Sequence, residues 1–203
     1  MSFDRQRFER ATALFDAANS EDPRQDVGPD GQSVPYELLY ARRMTEMIHR
    51  FAPDASEAVQ LAVRAQHIQR WKSARESYSM DRAGYLQWRT NLYAFHADTA
   101  GRLLKEAGYD EATIERVKAA VGKKGLKVNP ETQLLEDVAD LVFIEHYMLG
   151  FATKKADYSE AKWLDIIRKT WKKMSETAHA FALSGKLVLP APLVPLITKA
   201  LQA

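Results

Sequence analysis

Polar residues interrupt three otherwise apolar helical patterns in this chain, and any chemistry would start from them. In AVQLAVRAQHIQRW (58–71), Arg64 and His67 stand at i,i+3 on one face, among Val59, Leu61, Ala62, Val63, Ala65 and Ile68. Arg89, Tyr93 and His96 follow at i, i+4 and i+7 and share a face further on. Glu136, Asp137 and Asp140 lie in LLEDVADLVF. A buried polar group costs about 1–3 kcal/mol unless it finds a partner, so these side chains must meet one another, the core, or a ligand. Two neutral imidazoles and a carboxylate suit Mn, Fe, Co, Zn or Mg, and a divalent ion could activate a water as nucleophile. The expected metal ligands are His67, His96 and Asp137, with Asp140 as the alternative acid. Asp137 and Glu136 are the expected catalytic acids, while Arg64, Arg89 and Lys123 would hold a phosphate. The same groups would equally serve a buried ion-pair network that only specifies packing.

Two weaker patterns are present. Glu46-x-x-His49 and Glu176-x-x-His179 match the helical di-iron signature, but both histidines fall near helix ends, where the macrodipole favours basic groups. Tyr78, Tyr85, Trp88 and Tyr93 with nearby arginines could stack bases, although helical spacing makes packing the plainer expectation. No phosphate-loop, Gly-x-Gly-x-x-Gly or serine-triad context occurs.

The elements that must position these residues are helical. Strand signals are nearly absent. A first helix over about 3–18 places Phe8, Ala11, Leu14, Phe15 and Ala18 on one face, and a proline- and glycine-bearing loop spans 20–34. Pro35 opens a second helix with Leu38, Leu39, Met44, Met47, Ile48 and Phe51 as its stripe, and Pro53 ends it. Asp54-Ala55-Ser56-Glu57 resembles a capping box for the helix 58–71. A polar link, 72–80, precedes a long helix over 81–107 that Gly108 closes; Asp110 then caps a short helix stopped by Gly122. Asn129-Pro130-Glu131 starts a helix to about Phe151, and a last long helix covers about 159–184. The reading is seven or eight helices in one domain of 203 residues, all-α, with a proline-spaced tail at 186–203.

A formal charge of +2 is too small to indicate nucleic acid. Absence of cysteine removes disulfides and thiolate zinc sites and agrees with a cytoplasmic location. The charged start MSFDRQRFER predicts no signal peptide, and no apolar run approaches the ~18 residues of a membrane span. Apolar residues in the tail make a homodimer contact possible.

The segments LLYARRM, AQHIQRW, DRAGYLQWRTNL, FHA, QLLEDVADLVFIEHY and RKTWKKMS resemble a bacterial and fungal family described as a domain of unknown function, number 4202. That resemblance spans nearly the whole chain and implies a shared fold. More distantly, His67, then His96, then an acid at 137–140 is similar to the HD-domain phosphohydrolases, which hold a divalent metal for phosphoester or nucleotide hydrolysis. The chain departs from them at Ala97, where that superfamily has its metal-binding Asp; Asp98 is one residue late, about 100° round the helix. The resemblance implies an HD-like helical domain hydrolysing a phosphate-bearing small molecule. The alternatives are a non-catalytic nucleotide or small-anion binding module, or a structural helical protein.

Overall fold

In the computed structural model, which describes residues 4–155 and 157–202, the protein is all-α apart from one short hairpin. Ten α-helices occur among the described residues, and the chain divides into two compact units, Met1–Leu135 and Glu136–Ala203.

The first unit is built around α3, Glu57–Ala65, whose residues other than Glu57, Gln60 and Arg64 are buried. Ser56 caps it by accepting the Val59 N–H at 3.3 Å, so the cap lies two residues beyond the Asp54 that opens the expected box. Helices α1 (Arg5–Ser20), α2 (Tyr36–Phe51) and α5 (Glu111–Val121) pack against α3. The long α4 (Arg82–Glu106) packs on α5. Phe15, Met44, Met47, Ile48, Leu61, Ile68 and Leu104 are fully buried and make the core.

The structure departs from the periodicity at two points here. The expected loop 20–34 contains an antiparallel hairpin, β1 (Gln25–Val27) and β2 (Ser33–Pro35), with Asp26 opposite Val34 and Gly31 turning at φ 78°. Three residues per strand carry too little alternation to register in sequence. Second, the helix expected over 58–71 stops at Ala65. Gln69 adopts a left-handed φ of 52°, and its N–H donates to the side-chain oxygen of buried Asn19 at 3.0 Å. Non-glycine residues adopt that conformation at a cost of roughly 1 kcal/mol or more, so the turn is imposed by Asn19 on α1 and not by local propensity.

In α6, Pro130–Val142, the chain passes from the first unit to the second. A π-turn at Phe143–Tyr147 joins α6 to α7, Met148–Lys154, where one uninterrupted helix was expected. The last long helix is likewise two, α8 (Glu160–Lys173) and α9 (Glu176–Leu183), divided at Met174-Ser175. The proline-spaced tail ends in α10, Val194–Leu201, which packs on α8 and buries Ile197 and Ala200. No helix among the described residues is long and apolar enough to cross a membrane.

Candidate functional site

The turn that follows α3 determines where His67 points. Its ring stacks on that of buried Tyr40 from α2, centroids 4.2 Å apart and planes at 14°, leaving 27% of the imidazole exposed. His67 Nδ1 lies 3.7 Å from Oε2 of Glu37, one turn before Tyr40 on α2, too far for a hydrogen bond. Glu37 is wholly buried; Arg24 donates to its Oε1 at 2.7 Å, and Asp22, itself bidentate to Arg24, accepts the Glu37 N–H at 3.1 Å.

His96, on α4, places its ring 5.9 Å from that of His67. Its Nδ1 is 2.8 Å from the Ile68 carbonyl oxygen. A carbonyl can only accept, so Nδ1 carries the proton and Nε2 is the bare acceptor. That Nε2 is buried and meets no hydrogen-bond donor among the described residues.

Cations converge on this pair. Burial, then Arg70, His96, Lys123 and Arg89, holds His67 well below the usual imidazole range. Burial brings His96 down to about 3, the Ile68 carbonyl opposing and Arg70 and Lys123 adding to the effect. Burial likewise pushes the Glu37 carboxyl up to about 7, against the pull of Arg24 and Arg70. Arg70 lies over the face of Trp88 at 5.1 Å. Arg89 donates to the Tyr85 hydroxyl at 3.1 Å and to the Tyr93 hydroxyl. Lys123 follows α5 at a left-handed φ of 56°.

The His96 shift has a sign that can be measured. A folded-state pKa below the unfolded value contributes stability fully present above pH 6.5 and lost as pH falls toward 3. At pH 5 that loss is about 2 kcal/mol. Glu37 acts oppositely, its contribution fading as pH rises through about 7. Comparing denaturant unfolding at pH 7 and pH 5 in the native protein and in His96→Asn isolates the histidine, because asparagine can still donate to the Ile68 carbonyl. The variant should lose about 2 kcal/mol less on acidification; equal losses would contradict a buried neutral imidazole.

The other residues singled out from sequence have protein partners. Arg64 forms a bidentate pair with Asp16 on α1, at 2.8 and 2.6 Å, and donates to Thr45 on α2 at 3.0 Å. In the second unit, Asp137 accepts the Ser175 N–H at 2.7 Å and its hydroxyl at 2.6 Å. Glu136 and Asp140 both pair with Lys173, at 2.8 and 2.5 Å. Asp98 is mostly exposed and faces Lys118 at 3.4 Å. The expected metal centre of His67, His96 and Asp137 is corrected accordingly: among the described residues no group of three or more His, Cys, Asp or Glu could hold a metal ion. The physical reason is prior commitment, His96 Nδ1 to a carbonyl and both Asp137 oxygens to Ser175. The di-iron signature fares no better, since Glu46 and His49 are exposed and His179 stacks on Trp171 at 4.1 Å.

Sequence reasoning missed Glu37, Tyr40 and Arg70. Glu37 and Tyr40 fall on the buried stripe of α2 with Met44 and Met47, so a carboxylate within an apolar face was the available signal. Arg70 offered none, because its direction depends on the turn at Gln69.

A family model described as "Domain of unknown function (DUF4202)" matches residues 9–197. No curated protein and no solved structure matches the chain.

Proposed function

We propose, for a chain that belongs to the DUF4202 family, that its first unit is a binding module for a small phosphate-bearing anion. The observation that carries this reading is the gathering of Arg70, seated on the Trp88 face, and Arg89, held by the Tyr85 and Tyr93 hydroxyls, about the partly exposed His67. Arg89 gives two of its five N–H donors to tyrosine hydroxyls, which leaves the others to meet an anion. Lys123, whose charge depresses both histidines, would add a third contact. Metal-dependent hydrolysis on the HD-domain pattern has only the order of His67 and His96 behind it, because the ligand set it needs does not assemble.

Isothermal titration calorimetry with inorganic phosphate and pyrophosphate tests the module. Binding should weaken steeply with added salt, and Arg89→Gln should lower affinity by roughly tenfold or more, as expected for one charge-assisted contact. No measurable heat with either anion at low salt, or equal affinity in Arg89→Gln and Arg70→Gln, would end the proposal.

A further inference from the structure

Arg70 and Arg89 belong to a second arrangement besides the histidine pair. The 3-10 turns of residues 70–77 lie against the first turns of α4, so that guanidiniums alternate with aromatic rings. Arg70 covers Trp88 at 5.1 Å, Arg89 covers Tyr93 at 5.1 Å, and Tyr85 has Arg75 at 6.0 Å and Arg89 at 5.9 Å from its centroid. The rings are held in place: Trp88 Nε1 donates to the Ser73 carbonyl at 3.1 Å, and the Tyr85 hydroxyl accepts from Arg89. Tyr85 and Trp88 stand 6.0 Å apart at 47°, and Tyr85 is 42% exposed. Tyr85 is fixed at its hydroxyl and partly open to solvent. Fixed, exposed aromatic rings beside guanidiniums are what stack a planar heterocycle.

We infer that the ligand is a nucleotide, its phosphate held by Arg70 and Arg89 and its base stacked on Tyr85. The inference rests on the anion-binding reading and goes beyond it, because the two guanidiniums that serve the phosphate also border the aromatic platform. The groove between α4 and α5, about 250 Å³ and lined by Thr90, Tyr93, Lys118 and Lys124, is the competing place for the organic part. It presents one ring, Tyr93, where the platform presents two, Tyr85 and Trp88.

The experiment compares titrations of inorganic phosphate, ribose 5-phosphate and the four ribonucleoside 5′-monophosphates into the full chain and into Tyr85→Ala and Tyr85→Phe. Base stacking contributes about 1–3 kcal/mol, so at least one nucleotide should bind roughly tenfold tighter than ribose 5-phosphate. Tyr85→Ala should erase that advantage, read as the ratio of nucleotide to ribose 5-phosphate affinity in the same variant, because the Tyr85 hydroxyl also accepts from Arg89 and the affinity for ribose 5-phosphate itself can shift. Tyr85→Phe should keep the advantage, since the ring remains. Nucleotides no tighter than ribose 5-phosphate, or an advantage that survives Tyr85→Ala, would overturn the base-stacking assignment while anion binding stands. Failure of inorganic phosphate and ribose 5-phosphate to bind at all would remove the anion site itself. Thermal midpoints of the variants serve as the folding control, because Tyr85 is exposed and its loss should leave the fold intact.

Discussion

Asp137→Ala should destabilise the protein by about 3 kcal/mol, as expected when two hydrogen bonds to a buried carboxylate are lost. The residue is 3% exposed, and its two oxygens receive the N–H and hydroxyl of Ser175 at 2.7 and 2.6 Å. Ser175 is the N-cap of α9, accepting the Ala178 N–H at 3.2 Å. Removing the carboxylate therefore leaves a backbone donor without its acceptor and frees the cap at the junction between α8 and α9. For a chain of this length the thermal midpoint should fall by roughly 6–12 °C. Asp137→Asn, which keeps one acceptor oxygen, should recover about half of the loss. Denaturant unfolding measures both. A stable Asp137→Ala protein would mean that the break at Met174-Ser175 is held by something else.

Arg64→Ala should cost a similar amount, about 3 kcal/mol, for a different reason. The guanidinium is 11% exposed and links three helices: it pairs with Asp16 on α1, donates to Thr45 on α2, and belongs to α3. Loss of one partner from a desolvated ion pair leaves the other charge uncompensated, which costs more than an exposed pair would. Asp16 is 29% exposed and can recover some hydration, which keeps the figure below the ~5 kcal/mol upper end for buried pairs. Arg64→Lys should rescue little, because a point charge cannot reproduce the bidentate fork. The discriminating measurement sets stability against phosphate binding. Arg64→Ala should lower the denaturation midpoint without altering phosphate affinity at 25 °C, whereas Arg89→Gln should do the reverse. A parallel loss of affinity in Arg64→Ala would place it in the anion site after all.

These two cases show how far pattern alone carries. Arg64 and His67 share a helical face by spacing, yet α3 ends between them, so Arg64 turns toward Asp16 and His67 toward Tyr40. Periodicity reports which face a residue occupies, provided the helix continues; it does not report what stands opposite. The assumption of continuity failed at Gln69 and at Met174-Ser175, and in both places the interruption is held by a hydrogen bond from far along the chain, Asn19 to Gln69 and Asp137 to Ser175. Arg89, Tyr93 and His96 did keep one face, because α4 runs unbroken from Arg82 to Glu106.

The features legible without a structure are local: the helical class, the helix starts at Asp81 and Asp110, and the apolar stripes of α2 and α3. Each follows from contacts within about four residues, where side-chain chemistry and backbone geometry are enough. Which partner each polar group takes was settled only when the helices packed. Asp137 came to hold the Ser175 cap, Arg64 to clamp helices together, and Glu37 with Arg70 to lie near His67 and His96. Such pairings span 28 to 50 residues, as between Ile68 and His96 or Asn19 and Gln69. They exist only once the apolar faces have packed, since the core sets the distances at which polar groups can meet.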